Sequence, residues 1–158
     1  MKVRRLAVLA LALLASLATR AYAEKVYVLD ATDGDQVHLQ RERGGLSQVR
    51  LIGIEAPGQR SDKQHPAKLS LGQVAFGRWG EAQCDPWEKP KDKKKPAPPV
   101  LCRIKVDGVD LSVAQLEAGF ARYSAQYAGS LSPDERQSFQ QKERAAREAK
   151  KGMWTDRE

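Results

Sequence analysis

Val49-Arg50-Leu51-Ile52-Gly53-Ile54-Glu55-Ala56-Pro57-Gly58 joins an apolar run to a carboxylate and a proline, and its reading decides the fold. Val49, Leu51, Ile52 and Ile54 are residues that a sheet interior accepts. Pro57 cannot donate to a ladder, so a central strand ending at about Glu55 is expected. Arg50 and Glu55 are its polar exceptions. Upstream, Asp33-Gly34-Asp35 sets two more carboxylates on a turn, and pairing of the two regions would bring Asp35 and Glu55 together. Clustered carboxylate oxygens of this kind suit a hard cation.

Before this stretch the chain reads as two more short strands. From Lys25 to Ala31, Val26 and Val28 alternate with Tyr27 and Leu29; after the Asp33-Gly34-Asp35 turn, Val37 and Leu39 alternate with His38 and Gln40. Gly44-Gly45 is the next turn. Three consecutive antiparallel strands opening a small mixed domain fit an OB-type barrel. His38, on the polar side of its strand and without a partner at ligand spacing, reads as solvated and not as a metal ligand.

The first 23 residues differ in kind from the rest. Lys2, Arg4 and Arg5 precede an apolar run from Leu6 to Leu17, and Ala21-Tyr22-Ala23 is a small-x-small cleavage site, the pattern of a secretory signal peptide. The run falls short of the roughly 20 apolar residues of a spanning helix, so no membrane span is expected after processing. The mature domain is then 24–158, exported to the periplasm or secreted. Four of the 27 basic residues and none of the 20 acidic ones lie in the leader, so removing it lowers the net charge from +7 to +3. Attraction to nucleic acid must therefore come from local patches.

Beyond Gly58 the chain is expected to form a helix from Ala67 to Phe76, with Leu69, Leu71 and Val74 inward and Gly77 ending it. A fourth strand over Trp79 to Cys84 and a fifth over Val100 to Val106 flank Asp85 to Pro99. That segment holds five lysines and four prolines besides Pro86, so it cannot pack a core and is expected to be an exposed loop. It is either a solvated insertion or a surface on which Lys89, Lys91, Lys93, Lys94 and Lys95 meet phosphates, with Trp87 stacking a base. Asp110 caps a second helix through Ala118, with Leu111, Ala114 and Leu116 inward. Ser132-Pro133-Asp134-Glu135 combines an N-cap, a proline at the first helical position and a capping-box glutamate, and so starts a third, long helix. The whole is an α+β domain: a small five-stranded OB-type β-barrel with three α-helices.

Asp33-Gly34-Asp35, the run from Arg50 to Pro57, Gly108-Val109-Asp110-Leu111-Ser112, and Ala145 to Trp154 ending in Gly152-Met153-Trp154 together resemble the thermonuclease, or staphylococcal nuclease-like, family. The resemblance spans almost all of the mature chain. It implies a calcium site built from Asp35, Glu55 and the backbone carbonyl of Ala56, with Asp33 nearby. Glu55 stands where the family has an aspartate one methylene shorter. Binding of Ca2+ is expected to be weak, since two or three carboxylates give few ligands. Arg50 matches the first phosphate-clamping arginine, and Tyr123 is the better match to the aromatic lining the nucleotide pocket, although both it and Tyr127 could simply cover the barrel. Cys84 and Cys102 fall on strands that the resemblance pairs, so an exported chain is expected to join them in a disulfide, the alternative being two buried thiols.

Two parts of the family's machinery are missing. The general-base glutamate after Ala-Pro is Gly58 here, and the second arginine falls at Pro99. Three readings follow from the resemblance: a degenerate nuclease that still binds single-stranded DNA or RNA, or a nucleotide, weakly; an active calcium nuclease using substitutes such as Arg103, His65 or Gln59; and a scaffold presenting the lysine loop to a protein partner. A monomer is expected in each.

Overall fold

The computed structural model describes residues 23–57, 65–86 and 97–155. Its chain order is β1 (Glu24–Asp33), β2 (Gln36–Arg41), β3 (Leu46–Leu51), β4 (Ile54–Glu55), α1 (Pro66–Ala75), β5 (Trp79–Cys84), β6 (Leu101–Val106), β7 (Val109–Asp110), α2 (Leu111–Glu117), β8 (Arg122–Tyr123) and α3 (Pro133–Glu148), with 3-10 turns at Ala125–Tyr127 and Gly152–Trp154. The strands run β3-β2-β1-β5-β6-β7, and a parallel pairing of β3 with β6 closes β1, β2, β3, β5 and β6 into a five-stranded barrel. This is the expected α+β, OB-type architecture. No helix among the described residues is long and apolar enough to cross a membrane.

Alternation builds the barrel. Val26, Val28, Val37, Leu39, Val49, Leu51, Ile104 and Val106 point inward and are fully or almost fully buried. Their strand neighbours Tyr27, His38, Gln40, Gln48 and Arg50 stand on the outer wall, as the period of two requires. Leu111 and Leu116 of α2 and Phe139 of α3 cap the core.

The organising stretch is not one strand. β3 stops at Leu51, the chain turns through Ile52-Gly53, and β4 resumes for two residues against β8. Gly53 adopts φ +73°, and a Cβ there would lie 2.6 Å from Leu131 and 2.9 Å from Phe139, so glycine is required on both counts. A run of aliphatic residues hides such a break because each of them suits a strand. The first helix also differs from expectation. Ala67, Leu71 and Ala75 form its buried stripe, one turn apart, which turns Leu69 outward at 49% exposure and leaves Val74 half-buried. Asp110 and Ser132 cap α2 and α3, and the Ser132–Glu135 capping box is complete.

Cys84 and Cys102 face each other in the β5–β6 ladder and are joined in a disulfide, a bond that belongs to an oxidising, non-cytoplasmic setting. It closes off the segment that includes Lys89, Lys91, Lys93, Lys94 and Lys95, all of which lie outside the described residues. Replacing both cysteines, Cys84→Ala with Cys102→Ala, should lower stability by about 3 kcal/mol, the chain-entropy value for a closed loop of this size, read from urea unfolding.

Arg103 of β6 donates to Glu135 of α3 at 2.6 Å. That hydrogen bond holds the Glu135 carboxyl down at about 2, from an ordinary 4.5. A carboxylate with a lowered folded pKa stabilises the fold above its unfolded value, and the contribution is lost as pH falls from about 4.5 towards 2. Glu135→Gln keeps an acceptor for the cap but drops the charge. It should cost about 1 kcal/mol at neutral pH, the scale of a solvent-screened pair. Urea midpoints of variant and parent should converge by pH of about 2.

Candidate phosphate and cation site

The turn between β1 and β2 is fixed from below before it can bind anything. Gln115 of α2, fully buried, donates its side-chain amide to the carbonyl of Gly34 at 2.7 Å and to that of Ala67 at 2.9 Å, and accepts from Ser70 Oγ at 2.9 Å. It thereby ties the turn to α1 and α2 at once. A Cβ on Gly34 would lie 2.5 Å from the Ala67 methyl and 2.7 Å from that of Ala56, so only glycine lets the turn sit this close. One residue from Gly53, the carbonyl of Ile52 accepts from Ser112 Oγ at 2.9 Å.

On this base stands Asp35, only 2% exposed. Its carbonyl accepts from the Leu51 amide at 2.8 Å. Its Oδ2 accepts from Arg50 Nη1 at 2.6 Å and from the Ala56 amide at 2.9 Å, while Oδ1 is buried without a hydrogen-bond partner. Burial raises the Asp35 pKa above the ordinary carboxylate value, against the lowering by the Ala56 amide and Arg50, and neighbouring Asp33 adds to the rise. Asp33 is buried too and accepts from the Gly34 amide at 2.7 Å, satisfying its own turn.

Arg50 lies with its guanidinium carbon 4.5 Å from the centroid of the Tyr127 ring, a stacking arrangement that a planar cation favours. Its Nε is buried and has no hydrogen-bond partner. Tyr127 is in turn held by its carbonyl, which accepts from the Gly53 amide at 2.7 Å. The aromatic at Arg50 is therefore Tyr127, and not Tyr123. Tyr123 pairs with Ile54 in the β4–β8 ladder, donates its amide to Glu143 and packs partly on the core.

The other expected residues are spread more widely. Glu55 is exposed on β4, opposite Arg122, and Arg50 pairs with Asp35 and not with it. Among the described residues no group of three or more His, Cys, Asp or Glu is gathered as a metal cluster. Pro99 is exposed and is followed by Val100, whose carbonyl accepts from the Arg50 amide at 2.9 Å. The strand position beside Arg50 thus carries no cation. Arg103 is directed to Glu135 and Asp110. His65 sits at the start of α1 with Nδ1 buried and unpartnered. Gly58 and Gln59 lie outside the described residues.

The profile of the staphylococcal nuclease homologue family matches residues 48–156, well over half of the chain. The chain belongs to that family. No curated protein matches it. The matched span covers Arg50, Glu55, Ala56 and Tyr127 of this nuclease homologue but begins after Asp33 and Asp35, so the placement of those two carboxylates rests on the geometry above.

Gln115 is the residue that patterning misses, because a polar side chain on a short helix reads as outward. Gln115→Leu should cost about 2 to 3 kcal/mol, since it leaves the Gly34 carbonyl buried without this partner and removes the tie to the Ala67 carbonyl, which keeps only its bond within α1. Ser70→Ala, which removes only a half-buried hydroxyl, should cost less than half as much. Urea unfolding of the two variants gives the comparison.

Proposed function

We propose that this nuclease homologue binds single-stranded nucleic acid through a phosphate held at Arg50, and that it hydrolyses phosphodiesters poorly. The observation that carries the reading is Arg50 itself, anchored by Asp35 on one donor and stacked on Tyr127, at the position where the family matches its profile. A guanidinium fixed in this way keeps further N–H donors for two phosphate oxygens and has less side-chain freedom to lose on binding.

The donor set suits a divalent cation of the calcium type in one respect. Asp35 has an orphaned, buried carboxylate oxygen, which a hard cation would satisfy. Asp35 and the Ala56 carbonyl would hold it, with Glu55 reaching in from β4 and Asp33 adding negative charge. When bound, such an ion would neutralise charge on a phosphate oxygen and lower the pKa of a coordinated water. Arg50 would orient the phosphate, and Tyr127 would keep the guanidinium in place.

Impaired hydrolysis follows from side chains that are not there. Attack on a phosphodiester needs a base to deprotonate water and cations to meet the charge that develops. The family's base position is Gly58, and its second arginine position is Pro99. Arg103 does not substitute while it pairs with Glu135. With the disulfide and a leader-like N-terminus, we place this activity outside the cytoplasm.

The test compares mature protein with Gly58→Glu plus Pro99→Arg on denatured DNA in excess calcium. The double variant should turn over at least about 10²-fold faster, the lower end of a general-base contribution. Parental turnover within tenfold of the variant would overturn the reading. Calorimetric titration with calcium should give heat for the parent and none for Asp35→Asn, and equal heats would move the cation elsewhere.

A further inference from the structure

A second feature of the described residues lies away from Arg50. A hollow of about 730 Å³ opens at the other end of the barrel, where Lys25, Arg43, Trp79 and Lys105 line it together with the acids Glu24, Glu42, Glu81 and Asp107. Trp79 is 50% exposed there. Its ring meets Tyr27 edge-on at 5.3 Å, and Lys25 Nζ lies 4.8 Å from its centroid. Three of the acids are engaged by cations: Glu24 by Arg41, Glu42 by Lys25 and Asp107 by Arg78. What the hollow offers is therefore an aromatic face beside a cation, with little net field.

This aromatic end is continuous with Arg50. Strand register sets Leu46, Gln40, Tyr27 and Trp79 in one row across β3, β2, β1 and β5. Two residues further along β3 stands Gln48, paired with His38, and two further still Arg50, paired with Gln36. Between Arg50 and Trp79 the β2 and β3 positions on this wall are amides, a histidine and a leucine, and β1 adds one exposed carboxylate, Asp30, paired with His38. The path runs about 14 Å along the strands and three strand spacings of about 4.8 Å across them, roughly 20 Å on the diagonal. That matches the lower end, about four nucleotides, of what one OB fold covers.

We infer that the outer wall of the barrel from Arg50 to Trp79 is a track for single-stranded nucleic acid, on which a base stacks at Trp79 while a phosphate two or more nucleotides away sits at Arg50. Stacking on an indole is indifferent to base identity, and amide side chains both donate to phosphate and accept from base edges. The β2–β3 part of this wall is the face on which OB barrels carry oligonucleotides, and Trp79 on β5 lies beyond it. Lys25, now over the indole, is placed to leave the ring to the base and turn to the phosphate beside it. The phosphate end of the track rests on the Arg50 reading; the stacking end stands independently.

Calorimetry with oligothymidylates of two, four and eight residues tests it. Affinity for the parent should rise at least tenfold from the shortest to the longest. Trp79→Ala should abolish that rise, leaving dinucleotide binding and its own slope of affinity against salt unchanged, because the phosphate contact at Arg50 is not removed. Trp79→Phe should restore most of the rise, which a merely unfolded Ala variant would not explain. A length dependence that survives in Trp79→Ala overturns the track. If the dinucleotide fails to bind but the octamer binds through Trp79, the stacking end at Trp79 stands while the Arg50 reading, and with it the phosphate end of the track, falls. If no oligomer binds, both fall. Sedimentation in which the parent self-associates and Trp79→Ala does not, without oligomer binding, would make the patch a contact between copies and also overturn the proposal.

Discussion

Everything at the candidate site depends on the backbone of Gly53. Its positive φ ends β3 and directs the next two residues to β8; its N–H holds the Tyr127 carbonyl at 2.7 Å, and its carbonyl accepts from the Ser124 amide at 2.9 Å. Arg50 precedes this corner and Ala56 follows it. The same corner thus fixes the cation, the amide that binds Asp35 and the ring that stacks on the cation. Leu131 and Phe139 pack where a side chain would be, so α3 braces the corner from outside the barrel. The site is assembled by a turn, and the strands serve to hold that turn still.

The polar atoms below the surface have a different role from those above it. Gln115 and Ser112 are both buried and bond backbone carbonyls of the Gly34 turn and of Ile52. A leucine in either place would bury comparable apolar area, but it would not distinguish one height of the turn from another. Fully paired polar groups in a core select a single arrangement, and here the arrangement selected is that of Asp35 over Arg50. The buried carboxylate then works against its own ionisation and is kept in place by the Ala56 amide and Arg50.

Much of this was legible in the residues because it is local. The Ser132–Glu135 capping box, the Asp110 cap and the alternation of β1 and β2 involve neighbours a few positions apart, and patterning reads such relations well. The break at Gly53 was not legible, since Leu-Ile-Gly-Ile has the composition of an uninterrupted strand and the reason for the corner lies in Phe139, far along the chain. Leu69 was misplaced for a related reason. Alanines count little in an apolar pattern, yet Ala67 and Ala75 define the buried stripe of α1 with Leu71, and at Ala67 only a small residue fits so close to the turn. Tyr127 and Gln115 acquire their roles from contacts across the fold, which no window along the sequence contains.

The parallel seam between β3 and β6 also bears on the order of folding. Its partners, Arg50 with Leu101 and Leu51 with Cys102, are separated by half a hundred residues, whereas β1, β2 and β3 meet through hairpins. Long closures are entropically expensive and form slowly, so the three-stranded meander can exist before the barrel is shut. Arg50 sits on the seam. Until β6 arrives, the Arg50 amide lacks the Val100 carbonyl, and β3 is an open edge with a hydrophobic inner face. The wall behind the principal cation is thereby completed only by a long-range closure, and a meander that stops short of it leaves Arg50 on an open edge.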